Sequence, residues 1–229
     1  LDTHAAAEYI RFSRVTVYGS TLQGVNVECP SATLEHIVII GVESNGIGIH
    51  NESTRKGNIK IHNCRVEYPG RGGVNGDGIK FSSGNNASAV GYEWVSVKDS
   101  SVTGALQNAL RIGTDTTRRI ETGEISGNVL DSRNASSTVN QVLYTTNTNN
   151  LVIKNNLIFT GATTQSGIRG TTIYRFNMQD NIIFTYTNST AVGIWIDGVS
   201  DGGVIGGTVI EATTPSSLDG IFLENSVNN

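Results

Sequence analysis

A short phrase recurs along this chain and constrains its fold more than any other feature: a small residue, then an apolar residue, any residue and a second apolar residue. The clearest copy is Gly46-Ile47-Gly48-Ile49, and eight copies or close variants begin at positions 24, 46, 78, 109, 142, 167, 193 and 220. Their mean spacing is about 28 residues, and a fixed period of this length is typical of repeat architectures. We therefore expect one structural unit that is repeated along the chain.

A second phrase lies between copies of the first and places polar residues between two apolar ones. In Ile153-Lys-Asn-Asn-Leu157, the pair Asn155-Asn156 interrupts a run that otherwise has strand character. Asparagine tolerates left-handed backbone angles, and its side-chain amide can bond to an amide in the next repeat. The pattern predicts a corner between two short strands, where asparagines turn the chain and form a ladder.

Three short strands in about 28 residues cannot bury an apolar face alone, whereas identical units stacked in parallel can. A propeller would need about 40 residues and four antiparallel strands per blade. A lectin-like jelly roll would show no fixed period. The repeat therefore predicts an all-β solenoid of stacked parallel strands.

Over essentially its whole length the chain resembles the right-handed parallel β-helix proteins, the pectate-lyase-like superfamily. The segment Asn-Leu-Val-Ile-Lys-Asn-Asn-Leu-Ile-Phe-Thr-Gly, residues 150 to 161, carries the resemblance most clearly. It implies one domain over residues 1–229, a single-stranded right-handed parallel β-helix of about eight coils. The superfamily includes polysaccharide lyases, glycosidases, uronate epimerases, adhesins and trimeric phage tailspikes, so the fold by itself does not choose a function.

Composition excludes some classes of partner. The formal net charge is −4, and no run rich in lysine and arginine exists, which argues against a nucleic-acid surface. No apolar segment approaches the roughly 18 residues that a membrane-spanning helix requires. The two cysteines, Cys29 and Cys64, form neither a disulfide framework nor a metal-ligand pattern.

Side chains between the two apolar residues of the first phrase should point outward, because strand side chains alternate. We call this set the outer row; it comprises Asn26, Gly48, Lys80, Arg111, either Tyr144 or Leu143, Arg169, Trp195 and Phe222. Neighbours should stand about 4.8 Å apart, which gives a groove of roughly 35 Å. Arginine and lysine suit carboxylate or sulfate groups, and aromatic rings suit the faces of sugars. The outer row therefore predicts a carbohydrate-binding groove.

Two residues further on, a second outer row should run parallel to the first; it comprises Glu28, His50, Ser82, Gly113, Thr146, Thr171, Asp197 and Glu224. Its members at 146 and 171 depend on the local strand register. In adjacent coils, Asp197 and Glu224 would hold their carboxyl groups about 5 Å apart, the separation that retaining glycosidases use. The same two carboxylates could instead bind Ca²⁺ or belong to a solvated turn.

The segment Asp2-Thr3-His4, with Glu28 one coil later, resembles a catalytic segment of the mannuronan C5-epimerases. Such enzymes remove the proton beside a uronate carboxylate, a step that lyases share. The resemblance implies that His4 acts as base or acid and that Asp2 orients it. It also implies that Asp2 and Glu28 bind the substrate carboxyl group when they are protonated or bridged by a metal ion. Positive charge would stabilise the carbanion-like oxygen.

The leading hypothesis is a protein that binds and processes an acidic polysaccharide by lyase, epimerase or hydrolase chemistry. It requires no cofactor, with Ca²⁺ as an option, and it works in an extracellular setting or on a virion surface. The rival is a non-catalytic adhesin or virion fibre segment. Neither end of the sequence shows an amphipathic cap, so we expect a longer natural polypeptide or side-by-side assembly. The resemblance to tailspikes implies a homotrimer as one such assembly.

Overall fold

The computed structural model describes residues 7–54, 56–73, 76–82, 90–113, 119–133, 141–161, 166–185, 192–198, 200–212, 220–224 and 227–228. These residues form strands and turns and contain no helix. The strands belong to two sheets, one of 15 strands and one of eight, and neighbouring strands are parallel. The all-β, parallel character predicted from the sequence is confirmed.

Three sets of strands alternate along the chain, numbered in chain order. The first set is β1 (Tyr9–Ser13), β4 (Ser31–Glu35), β7 (Asn58–His62), β10 (Tyr92–Lys98), β13 (Ile120–Ser126), β20 (Ser200–Gly206) and β23 (Val227–Asn228). The second set is β2 (Thr16–Tyr18), β5 (Val38–Ile40), β8 (Arg65–Glu67), β11 (Ser101–Thr103), β14 (Val129–Asp131), β16 (Leu157–Phe159), β18 (Ile182–Thr185) and β21 (Val209–Ala212). The third set is β3 (Val25–Val27), β6 (Ile47–Ile49), β9 (Ile79–Phe81), β12 (Leu110–Ile112), β19 (Val192–Asp197) and β22 (Ile221–Leu223). Two long strands, β15 (Gln141–Lys154) and β17 (Ser166–Gln179), run from the third set into the first.

Each strand pairs with the corresponding strand of the next repeat. In the second set, for example, Val17 pairs with Ile39, and Ile39 pairs with Val66. The second set makes up the eight-stranded sheet, while β15 and β17 join the first and third sets into the larger one. Curled parallel sheets with this pairing are compatible with a parallel β-helix or a similar solenoid.

A continuous apolar core lies between the sheets. Beneath the second set it contains a line of fully buried aliphatic side chains, one per repeat: Ile39, Val66, Val102, Leu130, Ile158 and Ile183. Burying each such side chain is worth about 1.5–3 kcal/mol. Since each of these side chains packs against those of the repeats above and below it, the stacked repeats together supply the hydrophobic stabilisation that one repeat alone cannot.

An asparagine ladder runs through the corner between the first and second sets. Asn128 Nδ2 donates to Asn156 Oδ1 at 2.9 Å, and Asn156 Nδ2 donates to Asn181 Oδ1 at 2.9 Å. All three residues are almost fully buried, so these bonds are shielded from water. The predicted ladder is confirmed.

Each ladder position follows a residue with positive φ. Asn155 has φ 55°, and the equivalent residues of the other repeats adopt the same conformation: Arg14, His36, Asn63, Asp99, Gly127, Asp180 and Gly207. Asparagine, aspartate and glycine reach this left-handed region at the least cost. The predicted role of Asn155 in turning the chain is therefore confirmed.

Apolar side chains that are buried in the preceding repeat are exposed to solvent near residue 220. Ile194 and Ile196 in β19 are fully buried, whereas their partners in β22, Ile221 and Leu223, are 48% and 46% exposed. The inward face of β22 thus leaves apolar surface uncovered among the described residues. Side-by-side association and a longer natural chain remain predictions.

Candidate functional site

Strand pairing places the outer row in one line. The central residues of the third set pair in the order Asn26, Gly48, Lys80, Arg111, Tyr144, Arg169, Trp195 and Phe222. Of the two alternatives for the fifth position, Tyr144 belongs to the row and Leu143 does not, because Leu143 is fully buried. Apart from the buried Gly48, these residues are half-buried, so the row forms a partly accessible line of side chains.

Cationic and aromatic side chains contact one another along this line. The Arg111 guanidinium carbon lies 5.6 Å from the Tyr144 ring centroid, and that of Arg169 lies 4.1 Å from the Trp195 centroid. The rings of Trp195 and Phe222 meet edge to face, with centroids 5.8 Å apart. Each cation–π contact is worth about 0.5–2 kcal/mol. These contacts restrain long side chains that would otherwise be mobile.

Two acidic residues pair with cations of the outer row. Arg169 Nη2 lies 2.8 Å from Asp197 Oδ2, and Lys80 Nζ lies 3.7 Å from Asp77 Oδ2. The Asp197 carboxylate therefore already has a cationic partner in the row. Glu224 N donates to Ile196 O at 2.9 Å, beside the strand that carries Asp197. An acid pair of Asp197 and Glu224 remains a prediction.

Several buried polar atoms at the outer row have no hydrogen-bond partner among the described residues. They are Arg111 Nε, Arg169 Nε, Trp195 Nε1 and, in the second outer row, Thr171 Oγ1. Leaving a buried donor unsatisfied costs about 1–3 kcal/mol, so such groups call for an explanation. These atoms are also shielded from solvent, so a ligand in the row does not reach them in this conformation. No sequence pattern reveals these atoms, because their lack of partners depends on packing between repeats.

A second ladder of polar side chains lies just before the third-set strands, and the sequence did not predict it. Asp77 is fully buried, and its Oδ1 accepts from Asn108 N at 3.0 Å and from Asn108 Nδ2 at 2.7 Å. Asp77 N donates to Asn45 Oδ1, and Gln141 N donates to Asn108 Oδ1. The ladder fixes the chain just before Lys80, and its aspartate also faces the Lys80 ammonium group.

The N-terminal part of the second outer row brings three polar side chains together. His50 Nε2 lies 3.5 Å from Glu28 Oε1, and His50 Nδ1 lies 3.3 Å from Ser82 Oγ. Asn26 Nδ2 also donates to Glu28 Oε1 at 3.0 Å. The sequence placed His50 and Ser82 in this row without giving either a role. Asp2 and His4 lie outside the described residues, so the epimerase-like site remains a prediction.

Further along the second outer row, strand pairing aligns Thr146, Thr171 and Asp197. Within the described ranges, no group of three or more histidine, cysteine, aspartate or glutamate side chains could hold a metal ion. The Ca²⁺ option at Asp197 and Glu224 therefore remains a prediction.

Two further sequence expectations concern the cysteines and the membrane. Cys29 and Cys64 are both buried thiols. Burial raises the pKa of Cys64 to about 11, which keeps this thiol protonated at neutral pH. In the part of the chain that the structure describes, no helix has the length and apolar character to cross a membrane.

Comparison with known proteins returned no relative: no protein-family model, curated protein or solved structure matches the chain. A function for this protein must therefore be inferred from its own residues and their contacts.

Proposed function

We propose that the protein is a single right-handed parallel β-helix of about eight coils that binds and processes an acidic polysaccharide along its outer row. The coil assignment is supported by the pairing of each strand with its counterpart one repeat later. It is also supported by the recurring left-handed corner residue. In such a helix the outer row lies parallel to the axis, so an extended chain molecule can contact many coils at once.

The observation that carries the proposal is the composition of the row in register. Three cations and three aromatic residues occupy consecutive or nearly consecutive positions: Lys80, Arg111, Tyr144, Arg169, Trp195 and Phe222. From Lys80 to Arg169 the row spans roughly 14 Å, about three sugar residues. Guanidinium groups bind carboxylates and sulfates in a fixed geometry, while aromatic faces pack against pyranose rings.

Chemistry on such a ligand could follow any of three routes. Lyases and epimerases remove the proton beside the uronate carboxylate, and the cations of the row would stabilise the charge that develops on its oxygens. A hydrolase would use a pair of carboxyl groups, for which Asp197 and Glu224 are the candidates. An extracellular or virion setting and a homotrimer belong to the same proposal.

The experiment is a screen of uronate-containing and capsular polysaccharides, first for binding and then for turnover. New ultraviolet absorbance from an unsaturated uronate would indicate β-elimination, and reducing ends without that absorbance would indicate hydrolysis. Exchange of the C5 proton in D₂O would indicate epimerisation. Binding without turnover would favour the adhesin or fibre segment. The proposal fails if no acidic polysaccharide binds at low salt.

A further inference from the structure

A serine and a glutamate both contact one histidine beside the N-terminal end of the outer row. His50 lies between the other two, with Nδ1 3.3 Å from Ser82 Oγ and Nε2 3.5 Å from Glu28 Oε1. A nucleophile next to a base that a third group orients is the arrangement of hydrolytic triads. We propose that Ser82, His50 and Glu28 form such a triad and that it hydrolyses acyl esters.

The fold explains why residues so distant in sequence meet here. Each follows directly after a third-set strand, and the residues before them pair in register: Val27 with Ile49, and Ile49 with Phe81. His50 N donates to Val27 O and Ser82 N donates to Ile49 O, both at 2.9 Å. The backbone of the triad is thus held by the sheet, which gives its side chains a rigid support.

The contacts define one consistent protonation pattern. With the imidazole proton on Nε2, this N–H faces the Glu28 carboxylate, and Nδ1 is free to accept the proton of the Ser82 hydroxyl. Ser82 Oγ would then attack the ester carbonyl carbon while its proton moves to Nδ1. Collapse of the tetrahedral intermediate would break the bond to the alcohol oxygen, which takes the proton from Nδ1. Water, activated in the same way, would hydrolyse the acyl-serine and release a carboxylic acid.

The chain contains an internal comparison for this site. His62 Nε2 lies only 2.8 Å from Ser96 Oγ, yet Ser96 is fully buried. A hydroxyl without solvent access cannot reach an ester, so the shorter contact is structural. Ser82 is half-buried, and the side chains of His50 and Glu28 are 17% and 31% exposed. Accessibility, in addition to contact, therefore distinguishes the two serine–histidine pairs.

The surroundings of the triad suggest what ester it takes. Ser82 follows Lys80 by two residues, and His50 follows Gly48 by two, so the triad flanks the outer row. At Gly48 the row has no side chain, and the Gln23 amide oxygen occupies the space that a Cβ would fill. An O-acyl group on a saccharide in the row would lie beside Ser82. This assignment of the substrate as an O-acylated acidic saccharide rests on the proposed function, whereas ester hydrolysis itself does not.

The test is covalent labelling with a fluorophosphonate probe, read by intact mass and peptide mapping. We expect one adduct per chain, on the peptide that contains Ser82, and none on Ser82→Ala. His50→Gln should slow labelling and p-nitrophenyl acetate hydrolysis by about a hundredfold or more. Glu28→Gln, which alters a positioning residue, should lower both rates by more than about tenfold. Ser96→Ala is the matched control and should label as the wild type does. An unlabelled Ser82, or a His50→Gln variant that labels at the wild-type rate, would overturn the proposal.

The substrate assignment has its own measurement, release of acetate from an O-acetylated acidic polysaccharide. Release that depends on Ser82 supports it, and absence of release from a polysaccharide that binds refutes it. If Ser82 is labelled but the protein binds no acidic polysaccharide, the proposed function is wrong and the triad is supported. If the protein binds an acidic polysaccharide but Ser82 is not labelled, the triad is wrong and the proposed function is supported.

Discussion

The Arg169 guanidinium carbon lies 4.1 Å from the centre of the Trp195 ring, one position along the outer row. The same guanidinium group also reaches Asp197, so it is held from two sides. A cation held in this way loses little conformational entropy when an anion binds. The contact is therefore consistent with a binding groove that is organised before its ligand arrives.

Replacing Arg111 with alanine should weaken binding of an acidic oligosaccharide by about tenfold or more, because a charge-assisted contact worth about 1–3 kcal/mol is lost. Titration calorimetry at low salt measures the change. Arg65→Ala is the matched control, since Arg65 pairs with Glu67 in the second set. Added salt should weaken the wild-type complex more than the variant's. Equal affinities of the wild type, Arg111→Ala and Arg169→Ala at low salt would show that the row is not a binding groove.

Tryptophan fluorescence should report binding through Trp195. The chain has two tryptophans, and Trp94 lies in β10 of the first set, away from the outer row. In a Trp94→Phe variant, an acidic oligosaccharide should still change the emission, because a sugar ring over Trp195 alters its surroundings. In Trp195→Phe the response should disappear. A response that depends on Trp94 alone would contradict the placement of the ligand.

Asn156→Ala should destabilise the fold by about 1–3 kcal/mol, because buried groups of the neighbouring repeats lose their hydrogen bonds with the Asn156 side chain. These include Asn128 Nδ2, Asn181 Oδ1 and the carbonyl oxygen of Ile125. Urea unfolding followed by circular dichroism gives the change. Asn155→Gly is the control and should stay within about 0.5 kcal/mol of the wild type, since glycine adopts the positive φ without strain. An equal loss in both variants would mean that the ladder bonds of Asn156 contribute no more to stability than any change of a corner residue does.

Acid should remove the contribution that Glu124 makes to the stability of the fold. Hydrogen bonds from Lys98 and Lys154, at 2.5 Å and 3.3 Å, hold the pKa of Glu124 below its usual value of 4.5. The folded state therefore binds this proton less readily than the unfolded state does, so the stabilisation is present above pH 4.5 and is lost as the pH falls below it. Glu124→Gln should cost up to about 1 kcal/mol at pH 7 and progressively less in acid. Urea midpoints across that pH range measure the difference, and a pH-independent cost would show that the two lysines do not stabilise the fold through the Glu124 charge.

The sequence predicted the parallel repeat, the ladder at Asn156 and the members of the outer row, because strand alternation and the repeat period fix all three. At Val142-Leu143-Tyr144-Thr145 it left two registers open. There a polar residue occupies an inward position: Thr145 is fully buried, and its hydroxyl lies 3.2 Å from that of Thr148. A pattern of apolar residues cannot reveal an inward threonine whose partner lies three residues on.

For a different reason, sequence patterns could not predict that Asp77 is buried in a polar ladder or that His50 contacts Ser82. Aspartate is almost never fully buried without partners. The partner of Asp77 is Asn108, which lies 31 residues away in the sequence. Ser82 lies 32 residues from His50. Connections of unequal length separate the repeats, so a side-chain contact across them depends on a register that composition does not determine.

The spacing of the asparagine ladder also has a consequence for insertions and deletions. Bonded neighbours are 28 residues apart from Ser100 to Asn128 and from Asn128 to Asn156, but 25 apart from Asn156 to Asn181. The number of residues between consecutive ladder positions thus varies, while the hydrogen bonds between them stay the same. One residue added between Asn155 and Leu157 would instead turn the following strand's inward side chains outward. The chain should therefore accept grafted peptides in the connections between strands and reject even a single extra residue at the ladder corner.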